Sequence, residues 1–60
     1  MKQLKFFINE INHTYRDLGK DAECQNYNDI VSWFETDLIT QGEYLYLCRY
    51  NRRVYREVVA

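Results

Sequence analysis

His13 is the single histidine of the chain, with Glu10 three residues before it and Asp17 four residues after it. Glu-x-x-His on a helix is the element that carboxylate-bridged metal bundles use, with both side chains aimed into the bundle core. Here the direction is wrong. Wound at about 100° per residue, Glu10 and His13 fall roughly 240° and 180° around from Leu4, away from the apolar stripe. Asp17 lies on the same outer side. The expectation is a solvated polar face, with no metal and no other cofactor. Phe6 also falls on that side, where it is a singly exposed hydrophobe, a contact for a neighbouring element or an anchor for a partner.

Cys24 and Cys48 lack C-x-x-C spacing. With one histidine they make too few ligands for zinc unless chains share a site. They are expected to be free thiols, which points to a reducing, cytoplasmic setting. Glu35, Asp37 and Glu43 could be imagined as an acid–base pair, but nothing marks their surroundings as desolvated. Both glycines, Gly19 and Gly42, sit where helices should stop, which leaves no glycine-rich loop for a phosphate. The chain does not read as an enzyme.

The strongest candidate lies near the C-terminus. Arg49, Arg52, Arg53 and Arg56 fall within eight residues and interleave with Tyr50 and Tyr55. Guanidinium forks bind carboxylates or phosphates bidentately, and tyrosines fill partner pockets or stack on bases. The structural alternative is that these arginines solubilise an edge strand or pair with acids of the same molecule. Net charge is -1 overall but unevenly spread: residues 1–43 carry four basic and eight acidic side chains, whereas residues 44–60 carry four arginines and one glutamate. Such a dipole could steer association between copies or towards a charged partner. A dedicated nucleic-acid protein would usually be basic throughout.

Sixty residues make one small domain spanning 1–60. A chain this short buries only about 60% of its unfolded surface and commonly needs outside help. Apolar residues at 47% and aromatics at 17% are enough for a core, and leave aromatic surface over for a partner or a second copy. Asn9, Glu10 and Asn12 interrupt any signal-like run, and no stretch is long enough to span a membrane.

Leu4, Phe7, Ile8, Ile11, Tyr15 and Leu18 follow a helical cadence that Gly19 ends. A strand over residues 2–8 is the rival reading. Tyr27, Ile30, Val31, Phe34 and Leu38 repeat the cadence, with Asn28 as N-cap and Gly42 as the stop. Trp33 and Ile39 fall off this second stripe. Lys20 to Asn26 reads as a polar connection. After Gly42 the tyrosine- and valine-rich segment reads as a β-hairpin with strands near 44–50 and 54–59, turning at Asn51-Arg52-Arg53. A C-terminal helix is the alternative.

The expected fold is therefore α+β: two antiparallel amphipathic helices packed on a C-terminal β-hairpin, an ααββ order. That order resembles a truncated winged-helix module. One helix is missing, however, and Asp29, Glu35 and Asp37 would repel phosphates, so the family is not assigned. The tyrosine- and asparagine-rich style also resembles small phage or mobile-element proteins. The expected function is a non-enzymatic interaction protein, a homodimer, that binds a protein partner through Arg49, Tyr50, Arg52, Arg53, Tyr55 and Arg56. The alternative is nucleic-acid binding by the same hairpin.

Overall fold

The computed structural model describes residues 3–60, and every regular element among them is helical. Helix α1 runs Leu4–Leu18, a short 3₁₀ turn covers Gly19–Asp21, α2 runs Ala22–Glu35 and α3 runs Gln41–Val59. About 28 Å of α3, at 1.5 Å per residue, spans most of the molecule's 32 Å long axis. The expected α+β architecture is thus corrected to three packed helices, and the resemblance to a winged module lapses with the hairpin.

Helix α1 keeps its expected stripe. Phe7, Ile11 and Tyr15 are buried, with Leu4 and Ile8 packed beside them, while Leu18 is exposed. Gly19 ends the helix at φ 61°, and its N–H donates to the Tyr15 carbonyl. That positive φ is open to glycine and strained for other residues. The rival strand over 2–8 begins at Lys2, outside the described residues, and from Leu4 onward the backbone is helical.

Helix α2 begins earlier than expected. The segment 20–26 is not a loop, and Asn28 lies inside the helix rather than capping it. The reason is the core. Ala22, Asn26 and Ile30 repeat every four residues and are all buried. Asn26 can sit there because its Nδ2 donates to the Ile11 carbonyl at 3.2 Å. Trp33 completes this face by packing on Phe7, with ring centroids 4.7 Å apart. The buried stripe is therefore rotated away from Tyr27, Val31 and Phe34.

The same helix also stops earlier. Thr36 closes it, with its hydroxyl donating to the Ser32 carbonyl at 2.8 Å, and Asp37 follows at φ 61°. Asp tolerates that conformation better than most residues. Ile39, in the connection, turns inward and is buried. Gly42 does not end α2; it lies in the first turn of α3. Thr40 caps α3 by accepting from the Glu43 N–H at 3.1 Å, while the Glu43 carboxylate accepts from the Thr40 N–H at 2.8 Å. This reciprocal pair satisfies two amides that the helix itself leaves open.

The segment expected to be a hairpin is the longest helix. Tyr44, Leu47, Cys48, Asn51, Val54 and Tyr55 lie at spacings of 3, 1, 3, 3 and 1, and all six turn towards the core. Asn51 is the hub rather than a turn residue. Its Oδ1 accepts from the Tyr15 hydroxyl at 2.6 Å, its carbonyl lies 2.8 Å from the same hydroxyl, and its Nδ2 donates to the Glu23 carbonyl at 3.1 Å. One side chain of α3 thereby ties α1 and α2 together.

Candidate interaction surface on the third helix

Once α3 is helical, its arginines sort by angle. Arg49, Arg52, Arg53 and Arg56 are spaced i, i+3, i+4 and i+7, which places them on one face. At 1.5 Å per residue that face carries four guanidinium groups over about 10 Å of helix. It lies opposite the face of Leu47 and Asn51, and all four residues are exposed. The helix therefore gathers the charges that the expected ribbon would also have gathered, but by a different geometry.

The tyrosines part company with them. Tyr50 turns towards α1, where its hydroxyl donates to Asn12 Oδ1 at 2.7 Å. Tyr55 packs against the core cluster. Tyr46, which was not among the expected site residues, is exposed beside the arginines instead. Tyr46, Arg49, Tyr50 and Arg53 line a surface groove of about 290 Å³. Within it the Arg53 guanidinium lies over the Tyr50 ring, 5.3 Å from the centroid, close enough for a cation–π contact. The spacing of Tyr46 to Tyr50 and Arg49 to Arg53 would have exposed this grouping, had the segment been read with a helical period.

Charge neutralisation within the molecule is slight. Arg52 approaches Glu23 at 3.9 Å, a long contact. Among the described residues, Arg49, Arg53 and Arg56 make no salt bridge. The arginines do not simply fold back on the acidic helices.

A second groove, of about 300 Å³, runs between α2 and α3 and is lined by Glu23, Cys24, Tyr27, Cys48, Asn51 and Arg52. It brings to one surface the two cysteines that sequence spacing kept apart, and both are free thiols. Burial pushes the Cys48 thiol up, with a smaller opposing effect from the Tyr44 hydroxyl. A raised thiol pKa is the reverse of what a nucleophilic cysteine needs. The hydrogen bond with Tyr27, followed by burial, pushes Tyr44 up to about 12.

The outer face of α1 holds His13 against Asp17 at 3.3 Å, both well exposed. Among the described residues, no group of three or more His, Cys, Asp or Glu side chains is placed to hold a metal ion. Nor is any helix among them long and apolar enough to cross a membrane. In comparisons with known proteins, no family model, no curated protein and no solved structure matches this chain.

Proposed function

We propose that this chain is a non-enzymatic binding module that docks an acidic protein surface on the outer face of α3. The observation that carries this reading is the row Arg49, Arg52, Arg53 and Arg56, exposed on one helix face and left almost wholly without internal carboxylate partners. Guanidinium groups held in a row by a rigid helix lose little freedom on pairing, and each can take a carboxylate through two parallel hydrogen bonds. Tyr46 adds an exposed aromatic edge of the kind that anchors protein interfaces. The acidic remainder of the chain supports a compact protein partner over a long polyphosphate, which would run past this face onto like charge. Free thiols at Cys24 and Cys48 fit a reducing compartment, and a cytoplasmic setting belongs to the same reading.

The test is affinity capture from the source cell's lysate, with and without nuclease, using the native chain and a variant carrying Arg49→Ala, Arg53→Ala and Arg56→Ala. The native chain should retain a defined protein that survives nuclease, is released by salt and is not retained by the variant. Equal retention by both chains would remove the arginine face from the function. Retention that disappears with nuclease, together with retardation of DNA or RNA at low salt, would replace the protein partner with a nucleic acid.

A further inference from the structure

Beside the arginine face lies a second, chemically different surface. On α2, Tyr27, Val31 and Phe34 are spaced i, i+4 and i+7 and so form one stripe. Tyr27 is 50% exposed and Phe34 36% exposed. On α3, Leu45, Cys48 and Arg52 are spaced i, i+3 and i+7 and form the adjoining edge, with Leu45 53% exposed. Two observations join the stripes. The Phe34 and Tyr44 rings lie 4.8 Å apart, and Tyr27 of α2 and Cys48 of α3 line one groove. The result is an apolar strip along the α2–α3 seam, continuous with the groove that holds both cysteines.

The two ends of this strip differ in charge. At the end formed by the α2–α3 connection stand Glu35 and Asp37, both exposed. Towards the other end stand Arg52 and, one turn further on, Arg56, also exposed. An apolar strip that is acidic at one end and basic at the other is complementary to itself. A two-fold axis through its middle exchanges the ends and sets the acids of each copy against the arginines of the other. Closed two-fold pairs are the commonest oligomers, and their interfaces must match themselves in this way.

We infer that a second copy of this chain covers the α2–α3 strip, packing Tyr27, Phe34 and Leu45 against their symmetry mates and placing Glu35 opposite Arg52 twice. The scale is adequate. A standard interface takes about 800 Å² from each partner, which is roughly a fifth of the 4432 Å² this chain exposes. A partner of uniform charge would meet repulsion at one end of the strip, whereas a second copy sets Glu35 and Asp37 towards Arg52 and Arg56, which outnumber the Glu23 carboxylate beside them. Arg52 and Arg56 are shared with the proposed docking face, whereas Arg49, Arg53 and Tyr46 stay outside the pair; the oligomeric state is read with no partner present, so failure of this inference is distinguishable from failure of the proposed function.

Analytical ultracentrifugation of the full chain over a concentration series tests it. The native protein should sediment as twice 7.4 kDa at tens of micromolar. Leu45→Glu places a charge in the strip at an exposed position, and should weaken the pair at least tenfold with helical circular dichroism unchanged. Glu35→Arg and Arg52→Glu should each weaken it separately. Mixing those two proteins should restore a dimer, because in the mixed pair both charge contacts are attractive. Monomeric native protein at 100 μM or so would overturn the inference and leave the strip to a different protein. Weakening by the single variants without restoration on mixing would overturn the two-fold arrangement.

Discussion

The two faces of α3 are built from the same nineteen residues and answer to different physics. The inner face holds Leu47 with no exposed surface and Asn51 with 3% exposed. Each group there is bound to a particular neighbour. The outer face holds arginines in water, with one long contact to a carboxylate. Substitution on the inner face should therefore change stability, whereas substitution on the outer face should change association and leave stability nearly untouched. The helix separates two tasks by angle rather than by sequence position.

The sharpest way to break this contrast is Leu47→Ala. Removing a fully buried leucine leaves a cavity, and the expected loss is about 2–4 kcal/mol, a large share of what so small a domain has. Urea unfolding followed by circular dichroism measures it; a loss as small as that of an outer-face arginine would erase the distinction. Asn51→Leu tests the polar part of the same face. It keeps the branched shape but removes the side-chain bonds with the Tyr15 hydroxyl and the Glu23 carbonyl, leaving only the backbone carbonyl of residue 51 to accept from Tyr15, at an expected cost of about 1–2 kcal/mol. No loss in the same unfolding experiment would mean that packing alone orders the three helices.

Alkaline titration probes the inner face without substitution. Burial first, then the Glu23 carboxylate, pushes Tyr15 up to about 12 from an ordinary 10. The folded state thus holds its proton more tightly than the unfolded chain does. The contribution is fully present below pH 10 and is lost as pH rises from there towards 12, and Tyr44, shifted the same way, adds to the loss. The urea midpoint should begin to fall near pH 9, where the Cys48 thiol of the unfolded chain ionises, and fall further above pH 10, less steeply there in Tyr15→Phe. An unchanged slope in that variant would remove Tyr15 from the effect. The smallest expected change is at the outer face: Arg49→Ala, Arg53→Ala and Arg56→Ala together should shift stability by less than about 0.5 kcal/mol per site. A larger loss, read from the same curves, would show that the arginines hold the fold.

These faces were only partly legible in the sequence. Helix α1 was readable because its core positions are hydrophobic and Gly19 marks its end. Helix α2 misled through Asn26 and Ala22, a polar and a small residue in positions that pattern reading reserves for large apolar ones. Counting Tyr27 and Phe34 as core rotated the stripe towards what is in fact surface. Helix α3 misled through Asn51. Asparagine is common in turns, and the alternation of Tyr44, Leu45, Tyr46 and Leu47 imitates a strand, so a turn between two strands was the natural inference. Two signals pointed the other way: Thr40-x-x-Glu43, a helix-starting pair, and the spacing 44, 47, 48, 51, 54, 55 once Asn51 counts as buried. A buried asparagine is disguised by its own chemistry, since only the hydrogen bonds made by its partners show that it belongs inside. The arginine cluster was legible as a cluster because proximity in sequence survives either geometry. The departure of Tyr50 and Tyr55 from it, and the entry of Tyr46, depended on the helical period.

The bond between Tyr15 and Asn51 spans 36 positions of sequence. Its acceptor therefore leaves a ribosome well after α1 and α2 have emerged. Until then Phe7, Ile11 and Ile30 have no Leu47 to close over them, and a two-helix fragment of about 40 residues falls below the size at which chains commonly fold unaided. A peptide ending at residue 40 should accordingly give a weak, non-cooperative helical signal on heating. A bundle locked by its third helix should thus gain its order late, with α1 and α2 made first and held only once α3 reaches them.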